Sequence, residues 1–158
     1  MLSSTLLRVC GDACLRIDRA SDEKAREPVT VSAPSCEICG GSNNRRAAIE
    51  CLRTLRRRRV QRVVIVGGTA NLRQELDRLI AADDLEIRWV DGTRASHSSK
   101  DALGNKRWAQ LVVIWGPTPL RHAVSDLYTE EPLPHLRIIT VPRRGIEALC
   151  AEIVRCFT

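Results

Sequence analysis

Aromatic residues are scarce in this sequence, and long apolar runs are missing. Phenylalanine, tryptophan and tyrosine make up 3% of the 158 residues, whereas apolar residues make up 44%. A core can therefore form, but it must be built mainly from aliphatic side chains. No run approaches the length of a membrane-spanning helix, and Arg8 interrupts anything resembling a secretory signal. We therefore expect a cytoplasmic protein with one domain and a short appendage, and no membrane partner.

Positive charge is concentrated in one segment of the chain. The net charge is +6, and residues 43–62 hold eight arginines and a single acid, Glu50. Like charges at helical spacing repel unless something negative covers them. We therefore expect a nucleic acid or an acidic protein as the partner, and the alternative is a solvated helix face. The candidate nucleic-acid-binding residues are Arg45, Arg46, Arg53, Arg56, Arg57, Arg58 and Arg59.

The seven cysteines indicate a metal site rather than a disulfide framework. Their number is odd, and no signal peptide is evident. Cys36 and Cys39 form a CxxC motif followed by two glycines, which allow the backbone to turn beneath an ion. Structural zinc needs four ligands, and Cys10 and Cys14 are the candidates that complete the set.

Other interpretations of the cysteines stay open. Cys51, His97 or the CxxC motif of a second copy could supply the missing zinc ligands, or the thiols could be unligated. A thioredoxin-like redox pair is less consistent with the sequence, because a polar stretch rather than a strand precedes the motif. Cys150 lies on an apolar helix face and is predicted to belong to the core.

The chain divides into two parts by its patterning. Residues 1–61 are predicted to be an N-terminal arm that contains the CxxC turn and an arginine-rich helix from about Asn44 to Arg58. Residues 18–35 are polar, contain two prolines and are predicted to be a linker or a loosely packed arm. From residue 62 to 158, apolar runs alternate with amphipathic helices, whereas the polar residues 93–106 are expected to be a long loop.

The pattern of residues 62–158 predicts a small Rossmann-like α/β domain with three layers. Residues 63–66 and 111–115 are continuous apolar runs, hence central strands, whereas residues 85–89 and 136–141 form weaker ones. Alternating strands and helices predict parallel strands joined by right-handed crossovers. Numbered along the chain, these four strands are expected in the order 2-1-3-4. This order places the two continuous runs in the centre and the two weaker ones at the edges, with helices on both faces.

In such a sheet, ligands bind beyond the carboxyl ends of the strands, where the order reverses. Glycines allow close approach, helix N-termini attract anions and arginines grip phosphate. We therefore expect a phosphate-bearing ligand. Thr69 or Asn71 is expected to cap the first helix, and Thr118 with Pro119 is expected to start the third. The candidate ligand-binding residues are Gly67, Gly68, Thr69, Asn71, Asp91, Gly116, Thr118, His122, Arg143 and Arg144.

More specific chemistry is weakly supported. Asp91 is placed like an acid that binds ribose, but the third glycine of a dinucleotide-binding loop is missing. His122 precedes Ser125 and Asp126 on one helix face, where three residues cannot converge on one carbonyl as a catalytic triad does. His122 is instead a candidate ligand contact, or an acid/base if the protein is an enzyme acting on a nucleotide.

Residues 62–157 resemble a bacterial family catalogued as a domain of unknown function, DUF2325. The resemblance is carried by the strand ending in Gly67-Gly68, the turn Asp91-Gly92, the strand Leu111–Trp115, His122 and Arg143-Arg144-Gly145. Arg121 stands where the family leads us to expect a serine before the histidine. The resemblance implies a small Rossmann-like domain and these site positions, but no established reaction.

Together these features predict a binding or sensor protein rather than an enzyme. It would hold a phosphate-bearing ligand at the sheet edge and contact nucleic acid or an acidic protein through the basic helix, with zinc as a possible cofactor. The alternatives are the nucleotide-acting enzyme and a structural module that forms a homodimer through the basic helix.

Overall fold

A computed structural model describes residues 5–19, 26–81, 84–94, 97–117, 120–131 and 133–158. The strands are β1 (Leu6–Val9), β2 (Glu27–Thr30), β3 (Arg62–Gly67), β4 (Glu86–Val90), β5 (Leu111–Trp115) and β6 (Arg137–Val141). The helices are α1 (Asp12–Arg19), α2 (Asn43–Arg57), α3 (Ala70–Ile80), α4 (Ser99–Trp108), α5 (His122–Thr129) and α6 (Ile146–Cys156). The predicted α/β class is confirmed.

The larger sheet contains β3 to β6, all parallel, in the order β4-β3-β5-β6. Every residue of β5 is buried, and so is β3 from Val63 onward. Strands covered on both faces need apolar side chains on both faces, which explains their continuous apolar runs. β4 lies at one edge, where Glu86 and Arg88 are exposed. This arrangement is consistent with a Rossmann-like α/β fold.

Helices cover both faces of this sheet and create two cores. On one face, α2, α3 and α6 pack against alternate residues of the central strands, including Val63 and Ile65. On the other face, α4 and α5 pack against Val64 and Val66. The arginine-rich helix α2, grouped by sequence with an N-terminal arm, thus buries one side in the first core. Cys150 is also buried there, as predicted.

A second, two-stranded parallel sheet is formed by β1 and β2. It belongs to the N-terminal lobe, by which we mean residues 5–19 and 26–42. The N–H groups of Glu27 and Val31 donate to the carbonyl oxygens of Thr5 and Val9, at 3.0 and 2.9 Å. The prediction of a linker over residues 18–35 is therefore wrong for β2, which becomes a strand through pairing with β1.

Two further elements differ from the sequence prediction. α4 occupies much of the segment expected to be a loop, and a reciprocal capping box between Ser98 and Asp101 starts it. α5 begins at His122 with Arg121 as its N-cap. Thr118 and Pro119, the predicted cap and first helical residue, lie outside the described residues. Among the helices described, none is both long and apolar enough to span a membrane.

Candidate functional site

Four cysteines meet in the N-terminal lobe, and we call them the cysteine cluster. Cys10 follows β1, Cys14 lies in the first turn of α1, and Cys36 and Cys39 lie in the turn before α2. Their sulfur atoms all lie within 4.8 Å of one another. The structure thus brings together the four metal ligands predicted from the sequence, although they come from two segments of the chain.

The spacing of the sulfurs fits a tetrahedral ion. The Cys10 sulfur lies 3.7 Å from the Cys14 sulfur and 3.7 Å from the Cys39 sulfur. Zinc bonds sulfur at about 2.3 Å, so the sulfurs of a tetrahedral site lie about 3.8 Å apart. The two separations from the Cys10 sulfur therefore agree with those around a bound zinc ion.

Two glycines shape the turn that follows Cys39. Gly40 and Gly41 have φ angles of +56° and +86°, in the left-handed region that side chains disfavour. The N–H of Gly41 donates to the Cys39 sulfur at 3.3 Å. A Cβ on Gly41 would lie 3.4 Å from the backbone of Pro34. This turn therefore needs glycine both for its conformation and for its close packing.

The cluster stabilises negative charge at one corner. Burial opposes ionisation of Cys36, but hydrogen bonds from the backbone of Cys39, Ile38 and Cys10 outweigh it and lower its pKa to about 6. Burial raises the pKa of Cys14 to about 12. Because the thiolate is the metal-binding form of cysteine, the N–H groups around Cys36 favour the state that a metal requires.

Ion pairs join the CxxC motif to the rest of the lobe. The Glu37 carboxylate accepts from Arg8 Nε at 3.1 Å and from an Arg26 guanidinium nitrogen at 3.0 Å. Arg26 also pairs with Asp18, at 3.3 Å. The hydrogen bond from the Arg8 side chain is the main reason that the pKa of Glu37 lies below its ordinary value. Sequence analysis missed this network, because nothing in the local pattern links these residues.

The seven candidate arginines divide between the two ends of α2. At 1.5 Å per residue, its 15 residues span about 22 Å. Arg45 and Arg46 lie in the first turns, and an Arg45 nitrogen would be 3.6 Å from a Cβ on Gly40, beside the cysteine cluster. The run from Arg56 to Arg59 lies at the other end and is exposed, with Arg53 half-buried between the two groups. The structure thus creates two basic groups rather than one.

The second group lies at the strand-start edge, by which we mean the edge of the larger sheet where β3 to β6 begin. Arg58 donates to the carbonyl of Phe157, Arg137 to that of Cys156, and Arg62 to that of Trp108. These carbonyls end α6 and α4, where helix dipoles place partial negative charge. Part of the arginine excess therefore caps helix C-termini, a tertiary role that local sequence does not reveal.

The opposite edge, where the same strands end, is the carboxyl edge. Gly67 and Gly68 there have φ angles of +101° and +86°. A Cβ on Gly68 would lie 3.2 Å from Cε3 of Trp115, which is fully buried. A Cβ on Gly116 would lie 3.3 Å from the Val141 carbonyl oxygen. At Gly68 and Gly116, close packing within the protein is thus sufficient to explain the glycine.

The polar candidates at the carboxyl edge also take part in local structure. Thr69 caps α3 by accepting from the Leu72 N–H at 3.3 Å, as predicted, while Asn71 is exposed. The Asp91 carboxylate accepts from the Thr93 hydroxyl at 2.6 Å, which lowers the pKa of Asp91. Arg144 Nε donates to the carbonyl of Pro117 at 2.9 Å.

Arg143 and His122 are two further candidates at this edge. Arg143 is exposed, although its backbone carbonyl accepts from the Trp115 indole. The His122 side chain is also exposed, and Ser125 donates to its backbone carbonyl, at 3.0 Å, rather than to the ring. The parallel sheet gathers the ends of β3, β5 and β6 as expected, but a ligand there stays a prediction.

Comparisons with protein-family models, curated proteins and solved structures gave no match to this chain. The resemblance of residues 62–157 to DUF2325 therefore stays a prediction.

Proposed function

We propose that this protein binds zinc at the cysteine cluster and that the ion holds the N-terminal lobe in its folded form. The observation that carries the proposal is four sulfurs from two chain segments, all within 4.8 Å of one another and two pairs of them 3.7 Å apart. An all-cysteine site is typical of structural zinc, because no ligand position is left open for substrate. Soft thiolate ligands also favour zinc over magnesium or calcium.

The composition of the lobe supports a structural role for the ion. Its core consists of Leu7, Val9 and three of the cysteines, with few other apolar side chains around them. Small folding units with so little apolar core usually need a disulfide or a metal. All seven cysteines are free thiols in the structure, so zinc is the stabilising cross-link that the lobe can use.

The surroundings of the cluster suit the charge of the proposed site. Four thiolates around one zinc ion carry a net charge of −2. α2 begins directly after the CxxC turn, with its N-terminus capped by Ser42, and a helix N-terminus carries partial positive charge. Arg45 lies beside Gly40 at the same end. These groups partly neutralise the zinc-thiolate site.

Metal analysis of protein purified without a chelator tests the proposal. We expect one zinc per chain. Exchange for cobalt should give the thiolate charge-transfer and d–d absorption bands of a tetrahedral sulfur site. Folded protein that contains no metal and binds no cobalt would show that the cluster is an ordinary thiol core.

We propose as a second function that the strand-start edge binds a polyanion such as the backbone of a nucleic acid. Arg56, Arg57 and Arg59 are consecutive or nearly consecutive, and all are exposed there. Guanidinium groups bind phosphate in bidentate fashion and through charge. Since aromatic side chains are scarce, contacts should be mainly with phosphates and largely independent of sequence.

This second proposal predicts a steep salt dependence. For a DNA duplex, each phosphate contacted should lower the slope of log affinity against log salt by about 0.9. Arg57→Ala removes an exposed guanidinium, so we expect weaker binding and a slope shallower by about one such contact. Arg121→Ala removes an exposed guanidinium just before α5, away from the strand-start edge, so it is the matched control and should leave both quantities unchanged. A flat salt response, or equal effects of the two variants, would contradict the proposal.

Phosphate binding at the carboxyl edge and acid/base catalysis by His122 stay predictions of the sequence, as do a homodimer and a cytoplasmic location. The packing of Gly68 against Trp115 accounts for one of the glycines on which that ligand site was based. The cysteine cluster and the strand-start edge therefore carry the functional proposals.

A further inference from the structure

A cavity of about 340 Å³ opens at the strand-start edge, between the end of α2 and the starts of β3 and β4. Leu52, Leu55 and Leu85 form its apolar side. Arg56, Arg59 and Gln61 contribute its polar side. Its volume lies at the lower end of the range for small-molecule sites, which is about 300–1,000 Å³.

Arg59 occupies an unusual backbone position beside this cavity. Its φ angle is +57°, one of two positive values among the described non-glycine residues. The N–H of Val60 donates to the Leu55 carbonyl at 2.9 Å. This hydrogen bond is typical of the Schellman motif at a helix end, in which the residue at the position of Arg59 is usually glycine. An arginine here therefore keeps a guanidinium at the cavity where glycine would suit the backbone better.

Backbone N–H groups cap the end of α2. The N–H groups of Arg58, Arg59 and Val60 already donate to the last carbonyls of the helix. Arg58 differs from its neighbours, because its guanidinium caps α6 at Phe157. Among the described residues that line the cavity, Asp84 is the single carboxylate against two guanidinium groups. The charge balance thus favours an anion.

We propose that this cavity binds a small molecule with an aromatic ring and one phosphate group, with Arg56 and Arg59 at the phosphate and the three leucines against the ring. The proposal deepens the second proposed function, because the cavity shares these arginines with the polyanion surface. It differs from that function in requiring an apolar body as well as charge. Nucleoside monophosphates belong to this chemical class.

Calorimetric titration of the full chain with adenosine monophosphate tests the proposal, with adenosine and inorganic phosphate as partial ligands. We expect the monophosphate to bind at least tenfold more tightly than either part, because each part lacks one side of the site. Arg59→Gly should weaken its binding at least tenfold without lowering the unfolding temperature. Gln61→Glu, which places a carboxylate at the cavity, should weaken it as well.

Arg57→Ala separates the cavity from the open surface, since Arg57 is not among the residues that line it. We expect this variant to bind adenosine monophosphate like the parent while binding an oligonucleotide more weakly. Equal losses of monophosphate binding in Arg57→Ala and Arg59→Gly would place the ligand on the open surface and overturn the proposal.

The two proposals for this edge can fail separately. Oligonucleotide binding with no detectable binding of the monophosphate would overturn the cavity and leave the polyanion surface. Monophosphate binding that Arg59→Gly and Gln61→Glu leave unchanged would also overturn the cavity. Binding of the monophosphate together with a flat salt response for oligonucleotides would support the cavity and contradict the polyanion surface.

Discussion

Replacing Cys36 with serine is expected to remove zinc and unfold the N-terminal lobe, while the larger sheet remains folded. Cys36 is one of the four proposed ligands, and its sulfur accepts the N–H hydrogen bonds that stabilise a thiolate. Structural zinc contributes about 10–16 kcal/mol to the folding of zinc-finger peptides at neutral pH. The small core around Leu7 and Val9 cannot replace a contribution of that size.

Zinc content and amide hydrogen exchange measure the two parts of this expectation. Zinc should fall from one per chain to a small fraction. Protection of backbone amides from exchange should be lost in β1 and β2, because their hydrogen bonds belong to the lobe. It should be retained in β3 and β5, whose residues lie in the main cores. A uniform loss of protection would instead show that the lobe and the larger sheet unfold as one unit.

Cys156→Ser provides the matched control. Cys156 is a half-buried cysteine at the end of α6, outside the cluster. We expect this variant to keep its zinc and the protection of β1 and β2. If Cys36→Ser kept one zinc per chain, or if both variants lost it equally, zinc ligation by the cluster would be contradicted.

The cysteine cluster was predictable because its signal is local. The CxxC spacing followed by two glycines places two sulfurs on one turn, and Cys10 and Cys14 form a second close pair. The strands that carry them were not predicted. β2 is fully exposed and contains Pro28, so its sequence has no apolar alternation, and its structure depends on pairing with β1.

The larger sheet was predictable for a different reason. Burial on both faces requires continuous apolar runs, and these are visible at residues 63–66 and 111–115. α4 was missed because its apolar pattern is weak, although the Ser98 and Asp101 capping pair marks its start. The arginines that cap α6 could not be predicted at all, since Arg58 and Arg137 reach it through the tertiary fold.

Substituting alanine for Gly68 is the second change expected to have a large effect, and it tests how the carboxyl edge is interpreted. The new Cβ meets Trp115 at 3.2 Å, and the residue must keep a φ angle of +86°. Backbone strain of this kind costs about 1–3 kcal/mol, and overpacking a well-filled core adds about 1–3 kcal/mol. We therefore expect the free energy of unfolding to fall by about 2–6 kcal/mol in chemical denaturation.

Gly145→Ala isolates the backbone part of that loss. Gly145 has a φ angle of +94°, but no described atom lies within 4 Å of a Cβ built there. We expect this variant to lose about 1–3 kcal/mol, from strain alone. Equal losses in the two variants would show that Trp115 moves aside at no cost and that packing does not explain Gly68.

Trp115→Phe in the Gly68→Ala background separates packing from ligand binding. The contact atoms, Cε3 and Cζ3, belong to the larger ring of the indole, so phenylalanine makes room for the new methyl group. Trp115→Phe should then lower the free energy of unfolding less in the Gly68→Ala variant than in the parent. The difference is the coupling energy between the two positions, which is about 0.5–3 kcal/mol for residues in contact. A Gly68→Ala variant that is as stable as the parent but loses phosphate binding would instead assign Gly68 to a ligand site. The cycle thus decides whether the glycine pair after β3 serves the fold or a bound molecule.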